Sequence, residues 1–451
     1  MRRAATWTWV CAVALFGVAS GRFAAAEPQL PPGFLIPMNA SQKELFDGDY
    51  IEALRQTCKL MEWLGEPTNQ KLMSKAGINH SVLKAFTLSR KATILAELNC
   101  PKHAAVAHHD ARGYVKKLAG SDILIPYLQA GIEFVEADVF RPVADFGVTG
   151  FDKFSDPYRS RQALERCHAV IDQQLMRDDG DVANRLRAKQ HVAVARVLMC
   201  DPLDPTTAEP AEHRYTDAKL SLREALLCHE KCGMWRLLID PDDPSRVLFK
   251  RIDDVKDKVK MSTETEVFLK GTIHTTLGDW VELQMTQAEL QARQELDDPM
   301  LGWRLNSAEE RFAEMVGFLQ AQFNSGDHPL VARVKLSRAK WFLALARREA
   351  AAATPKLPRL RSLLDDCVFA IDTLRTGRLV SPRQLMEGNF VELAATEELL
   401  RLDSLGAEEK KALEGRRSTL RDALDPEVFE KTAGKQLVDG RGCPRKKEAG
   451  P

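Results

Sequence analysis

An all-α protein, an α-solenoid of antiparallel helix pairs, is what this sequence predicts, on three observations. Apolar residues recur at the i, i+3, i+4, i+7 spacing of helices over most of the chain. The period-two alternation of strands is almost absent, and Gly, Pro and Asp breaks of the kind that stop and start helices separate the periodic segments. At 451 residues, 44% hydrophobic and 28% charged, with 26 Gly and 22 Pro, the chain can fill a large core and is not a disordered or collagen-like polymer. Its 64 basic and 64 acidic side chains cancel, so it lacks the cationic surplus of a dedicated nucleic-acid binder, and no nucleic-acid partner is expected.

Taken in order, residues 1–26 read as a signal peptide. Arg2 and Arg3 precede an apolar stretch from Ala4 to Ala19 with no acid before Glu27, and Ala24 and Ala26 make an A-x-A site. That stretch is shorter than the ~20 residues a membrane-spanning helix needs, and no later run is longer, so no transmembrane segment is expected in the mature chain. The expected location is the secretory pathway, in the endoplasmic reticulum lumen or outside the cell. A mitochondrial presequence is the alternative, because Arg2, Arg3 and Arg22 without acids also suit one. Residues 27–40 read as a linker, 41–232 and 264–436 as two sets of helical repeats, 233–263 as a connecting segment, and 437–451 as a basic flexible tail.

Within the repeats, Leu88, Ala92, Leu95 and Leu98 form one helical stripe, and Ala104, Ala107, Ala111, Val115 and Leu118 the next. Arg185 to Met199, Thr216 to Leu227, Glu264 to Leu277, Val281 to Leu296, Val331 to Ala346 and Leu360 to Leu374 follow the same rule, for roughly sixteen helices in all. They group into pairs at 83–118, 124–177, 185–232, 264–297 and 331–376. A hairpin of this size cannot bury its apolar face alone and must stack on its neighbours, which in a solenoid leaves a concave groove suited to peptides or partner helices. A globular helical bundle is the competing architecture.

Two segments, Phe46-Asp47-Gly48-Asp49-Tyr50-Ile51-Glu52-Ala53-Leu54 and Leu277-Gly278-Asp279-Trp280-Val281-Glu282, look like a Gly-Asp-aromatic turn into a second helix. In them the chain resembles the tetratricopeptide repeat family, built from helix pairs of about 34 residues. The resemblance implies a non-enzymatic scaffold that binds proteins or peptides, with a co-chaperone as one version. The candidate pairs differ in length and lack the family's full pattern, and His328-Pro329 is followed by Leu330 and not by the Asp of a J domain.

Candidate sites are few. Cys100, His103 and His108, with His109 and Asp110, carry zinc-competent side chains at a spacing that matches no standard zinc pattern. An enzyme or metal-dependent protein using this cluster is the alternative function, and a mitochondrial assembly factor a further one. Cys228-His229-Glu230-Lys231-Cys232 offers thiols without an activating partner, and Asp240-Pro241-Asp242-Asp243-Pro244 reads as a capping turn because it lacks the Gly and distal Glu of a calcium loop. Asn39 and Asn79 head N-x-S sequons. No phosphate loop, dinucleotide fingerprint or hydrolase motif is present, so no catalytic residues and no cofactors are expected. A chain of this size has core enough to make disulfides optional.

Overall fold

The computed structural model describes residues 31–75, 79–118, 125–140, 157–175, 180–199, 210–232, 263–297, 307–323, 328–375, 380–402, 404–424 and 438–445. The signal peptide, the Asp240–Pro244 turn and nearly all of the connecting segment lie outside them. The helices are α1 (Pro32–Asp47), α2 (Tyr50–Gly65), α3 (Pro67–Lys75), α4 (His80–Glu97), α5 (Pro101–Lys116), α6 (Ile125–Val139), α7 (Pro157–Val170), α8 (Asp181–Met199), α9 (Ala211–Lys231), α10 (Thr263–Asp297), α11 (Ala308–Phe323), α12 (Pro329–Ala350), α13 (Leu357–Arg375), α14 (Pro382–Leu399) and α15 (Ala407–Leu424). A π-helical turn, Ile171–Leu175, extends α7. Among the described residues there is no strand, only an isolated antiparallel bridge between Val438 and Pro444. No helix among them is long and apolar enough to cross a membrane.

The all-α expectation holds, and local chemistry explains the boundaries. Proline stands at the first helical position of α1, α5, α12 and α14, where its missing N–H costs nothing. Ser381 and Gln384 make a reciprocal capping box at the start of α14. α4 ends in a Schellman turn: Asn99 adopts φ 57°, its N–H bonds Ala96 O at 2.9 Å, and Cys100 N–H bonds Leu95 O at 2.8 Å. Three expectations need correction here. Residues 32–40, read as linker, belong to α1. The stripe of α5 ends at Val115, with Leu118 beyond the helix.

The third correction is larger. Residues 264–297, read as a helix pair with a turn at Gly278-Asp279, form the single helix α10. Its buried stripe, Leu277, Val281, Met285, Ala288 and Ala292, runs through the glycine without a change of phase. One mid-helix Gly costs only about 1 kcal/mol relative to Ala, less than continuous burial returns.

Successive helices pack as neighbours, α1 on α2, α4 on α5, α6 on α7, α8 on α9, α12 on α13 and α13 on α14. In addition α1 touches α10, and α4 touches α14, where Asn99 Nδ2 lies 2.9 Å from Met386 Sδ. These contacts go beyond the nearest-neighbour stacking of a solenoid. They bring the early and late pairs together and leave a space between them.

A covalent link reinforces this meeting. Cys58 on α2 is disulfide-bonded to Cys443, 385 residues away. The part of the expected flexible tail that the structure describes, 438–445, is therefore a clasp. Asp439 Oδ1 accepts from the Arg441 and Cys443 N–H groups, both at 2.9 Å, and buried Lys91 donates to Arg441 O at 2.6 Å. Val438 is 2% exposed, in a core with Leu54, Leu95 and Ala104.

Candidate functional site

Between these helices lies a partly open cavity of about 350 Å³. Ten helices contribute to its wall: α1, α2, α4, α6, α7, α8, α9, α10, α12 and α14. The helical period puts the contributing residues in place. Lys189, Val192, Ala193, Arg196 and Val197 form one face of α8, and Thr93 and Glu97 are one turn apart on α4. The rim at α12 is set by His328, whose Nδ1 accepts from the Leu330 N–H at 3.2 Å, and by Gln384, whose Nε2 donates to Pro329 O at 3.2 Å. Phe134, Leu164, Val192 and Leu330 make the apolar part.

Three ion-pair networks hold the wall. In the first, Asp279 of α10 accepts from Arg185 Nε at 2.5 Å and from Lys189 Nζ at 3.2 Å, both on α8. Arg185 is 2% exposed, and its Nη1 and Nη2 have no hydrogen-bond partner among the described residues, so this charge rests on Asp279. Burial pushes the Asp279 carboxyl up, but the two cations outweigh it and hold the group at about 2. His229, buried beside them, is pushed down to about 4, first by desolvation and then by Arg185 and Lys189, against the pull of Asp279. Its imidazole is neutral at pH 7.

The second network joins α8, α10 and α12: Glu282 takes both Arg196 and Arg333, the latter at 2.6 Å, and Glu289 accepts from Ser337 Oγ at 2.7 Å. The third sits behind the wall on α6. Arg166 donates to Glu133 at 2.7 Å and to Glu136 at 2.6 Å, Arg159 bonds Glu136 at 2.7 Å, and Arg112 bonds Glu133 at 3.1 Å. These pairs fix α6 between α5 and α7 and aim Phe134 and Ala137 at the cavity.

Two polar groups of the wall stand apart. The Glu97 side chain makes neither an ion pair nor a hydrogen bond among the described residues, and the hydroxyl of buried Tyr50 makes no hydrogen bond among them. Burial, and after it the charge of Glu97, push the Tyr50 phenol up, against Arg333.

Ser160 Oγ is spent on Ala137 O at 2.8 Å, Asp279 and Glu282 are held by cations, and among the described residues no cysteine lines the cavity. The free thiols among the described residues are all buried, and desolvation pushes Cys100 up to about 11 and Cys167 to about 12, and raises Cys228 and Cys367.

The structure gives the sequence candidates separate neighbours. Cys100 precedes α5 with its Sγ 3.6 Å from Leu98 O, inside an apolar core. His103 lies against Gly442 of the clasp. His108, 1% exposed, bonds Ile132 O at 3.0 Å and stands 3.9 Å from Glu136. Among the described residues no three His, Cys, Asp or Glu side chains are grouped to hold a metal ion. Asn39 is half-buried on α1, and Asn79 caps α4 by accepting from the Ser81 N–H at 3.0 Å. Cys228 and Cys232 are buried free thiols.

Sequence reasoning singled out the two Gly-Asp-aromatic segments for their turn chemistry, and both reach the cavity, through Tyr50 and through Gly278 and Asp279. Glu97 went unremarked. Its signal is an acid at the end of the stripe Leu88, Ala92, Leu95, Leu98, where a helix C-terminus disfavours negative charge. Comparison of the chain with protein-family profiles, with curated proteins and with solved structures finds no match.

Proposed function

We propose that this protein is a non-enzymatic binding scaffold of tetratricopeptide-like helix pairs that takes a short segment of a partner protein into the cavity. The carrying observation is the cavity itself, about 350 Å³ walled by ten helices. That volume is at the small end of ligand pockets, room for one or two side chains and not for a long extended peptide. The mixed wall suits such an occupant, with apolar surface to bury a side-chain stem and fixed charges to orient its tip. The Cys58–Cys443 bond supports an oxidising compartment, in keeping with a secretory signal at residues 1–26.

The test is selection from a random heptapeptide library on the oxidised full-length chain. Peptides sharing a motif should emerge, and Leu164→Trp, which fills the cavity, should abolish their binding. Phe369→Ala, at a side chain 69% exposed on the outer surface of α13, should leave it unchanged. Peptides indifferent to Leu164→Trp would refute the cavity as the site. The compartment is read by alkylating the protein as isolated from its own cells: Cys58 and Cys443 should resist modification until reductant is added.

A further inference from the structure

Charge matching around the cavity singles out one place. The wall carries three acids, Glu97, Asp279 and Glu282, and three cations, Lys189, Arg196 and Arg333. Asp279 is matched by Arg185 and Lys189, and Glu282 by Arg196 and Arg333. All three wall cations are thus used by two of the acids, and Glu97 is left with none among the described residues.

Its position makes the vacancy meaningful. Glu97 is the last residue of α4, at the negative end of the helix dipole. The Schellman turn behind it caps the Leu95 and Ala96 carbonyls with the Cys100 and Asn99 N–H groups and adds no positive charge. Tyr50 lines the same cavity, and its hydroxyl is a second oxygen without a hydrogen bond among the described residues. Carboxylate, phenol oxygen and helix C-terminus all favour a cation.

We propose, building on the scaffold reading above, that Glu97 and Tyr50 form a receptor for one cationic nitrogen on an aliphatic stem, a lysine or arginine side chain of the bound peptide. The stem has the apolar wall to lie on, and Arg333, the cation that acts on Tyr50, is occupied by Glu282 at 2.6 Å. The cavity already holds a side chain in this way. Lys189 runs along the wall with its Nζ 3.2 Å from Asp279 and 5.7 Å from the Phe134 ring centroid, so the same wall accommodates an alkylammonium between a carboxylate and an aromatic face.

The peptides selected above are the probes, each compared with its counterpart in which the basic residue is replaced by norleucine, which keeps the stem and removes the charge. Titration calorimetry on the oxidised full-length chain should show binding weakened about ten-fold or more by norleucine, as befits a lost charge-assisted hydrogen bond. Glu97→Gln should weaken the basic peptide by a similar factor and leave the norleucine peptide unaffected. Tyr50→Phe should act in the same direction, more weakly, and provides an independent check should Glu97→Gln disturb the helix end. Selected peptides that depend on the cavity but carry no basic residue, or bind Glu97→Gln as tightly as wild type, would overturn this assignment and leave the scaffold standing. Failure to select any cavity-dependent peptide would overturn both.

Discussion

Gly-Asp followed by Tyr or Trp occurs at 48–50 and at 278–280, and the two copies adopt opposite structures. Gly48 takes φ 82°, the Asp49 N–H bonds Glu44 O at 2.9 Å, and the Asp49 side chain caps α2 by accepting from the Glu52 N–H at 2.9 Å. Gly278 lies inside α10, and the Asp279 carboxylate is 8% exposed between Arg185 and Lys189. In one place Asp completes a helix end, and in the other it anchors a helix against its neighbour. Turn chemistry is an option that a local sequence offers; the apolar phase on either side decides whether it is taken. The α1–α2 hairpin is held by its turn and by the disulfide at Cys58, whereas α10 is held by buried charge. The two regions should therefore fail under different stresses.

The largest effect is expected at the buried charge. Asp279→Asn strands Arg185 in a 2%-exposed site, and breaking a buried pair on one side costs roughly 3–5 kcal/mol. Pairing Asp279→Asn with Arg185→Met should recover most of that loss in a chemical denaturation series, because the stranded charge is removed with its partner. No recovery in the double variant would mean that the network does more than neutralise charge. Hydrogen exchange should locate the weakening in α8–α10 and spare α1–α2.

Next is the covalent tie. Cys443→Ser should cost about 2–4 kcal/mol, and hydrogen exchange should rise in α2 and the clasp before α10. Equal protection in the oxidised and reduced protein would remove the disulfide from the comparison.

Acid separates the regions again. With His229 held down at about 4 in the folded chain, against an ordinary value near 6.5, the unfolded chain binds the proton that the folded one refuses. Stability is full above about pH 6.5 and falls as pH drops toward 4, by on the order of 2–3 kcal/mol. Asp279, held at about 2, keeps its contribution above its unfolded value near 3.9 and loses it only as pH falls below that. His229→Asn should flatten the upper part of the profile and leave the lower drop. An unchanged slope between pH 6.5 and 4 would exclude His229 as its source.

How much of this was legible follows the range of the interactions. The stripe Leu88, Ala92, Leu95, Leu98 is buried throughout, at 6%, 0%, 0% and 1% exposure, because helix periodicity is written within a few turns. The prolines at 101, 329 and 382 mark real helix starts for the same reason. What escaped is long-range. Cys58 and Cys443 are partners only because the late helices return to the early ones, and nothing in either neighbourhood announces the other. The cavity is likewise shared among ten helices, and Glu97 acquires meaning only once Arg196, Arg333 and Lys189 are seen to be taken by other acids. The Gly before Asp279 reads locally as a turn, and the pairing of Asp279 with Arg185 and Lys189 on α8 is again long-range.

The smallest effects give the sharpest form of the comparison, since the same substitution should change sign between the two copies. Gly48→Ala forces a Cβ into the left-handed region and should destabilise the protein by about 1 kcal/mol. Gly278 has ordinary helical geometry, and a Cβ added there meets nothing within 4 Å. Gly278→Ala therefore removes a helix-interior glycine without a clash and should stabilise by roughly 0.5–1 kcal/mol, partly by restricting the unfolded chain. Parallel denaturant titrations with equal m-values would read both shifts directly. If Gly278→Ala destabilised as Gly48→Ala does, α10 would be broken at that residue after all, and the cavity wall that Asp279 and Glu282 build would have to be redrawn around a turn.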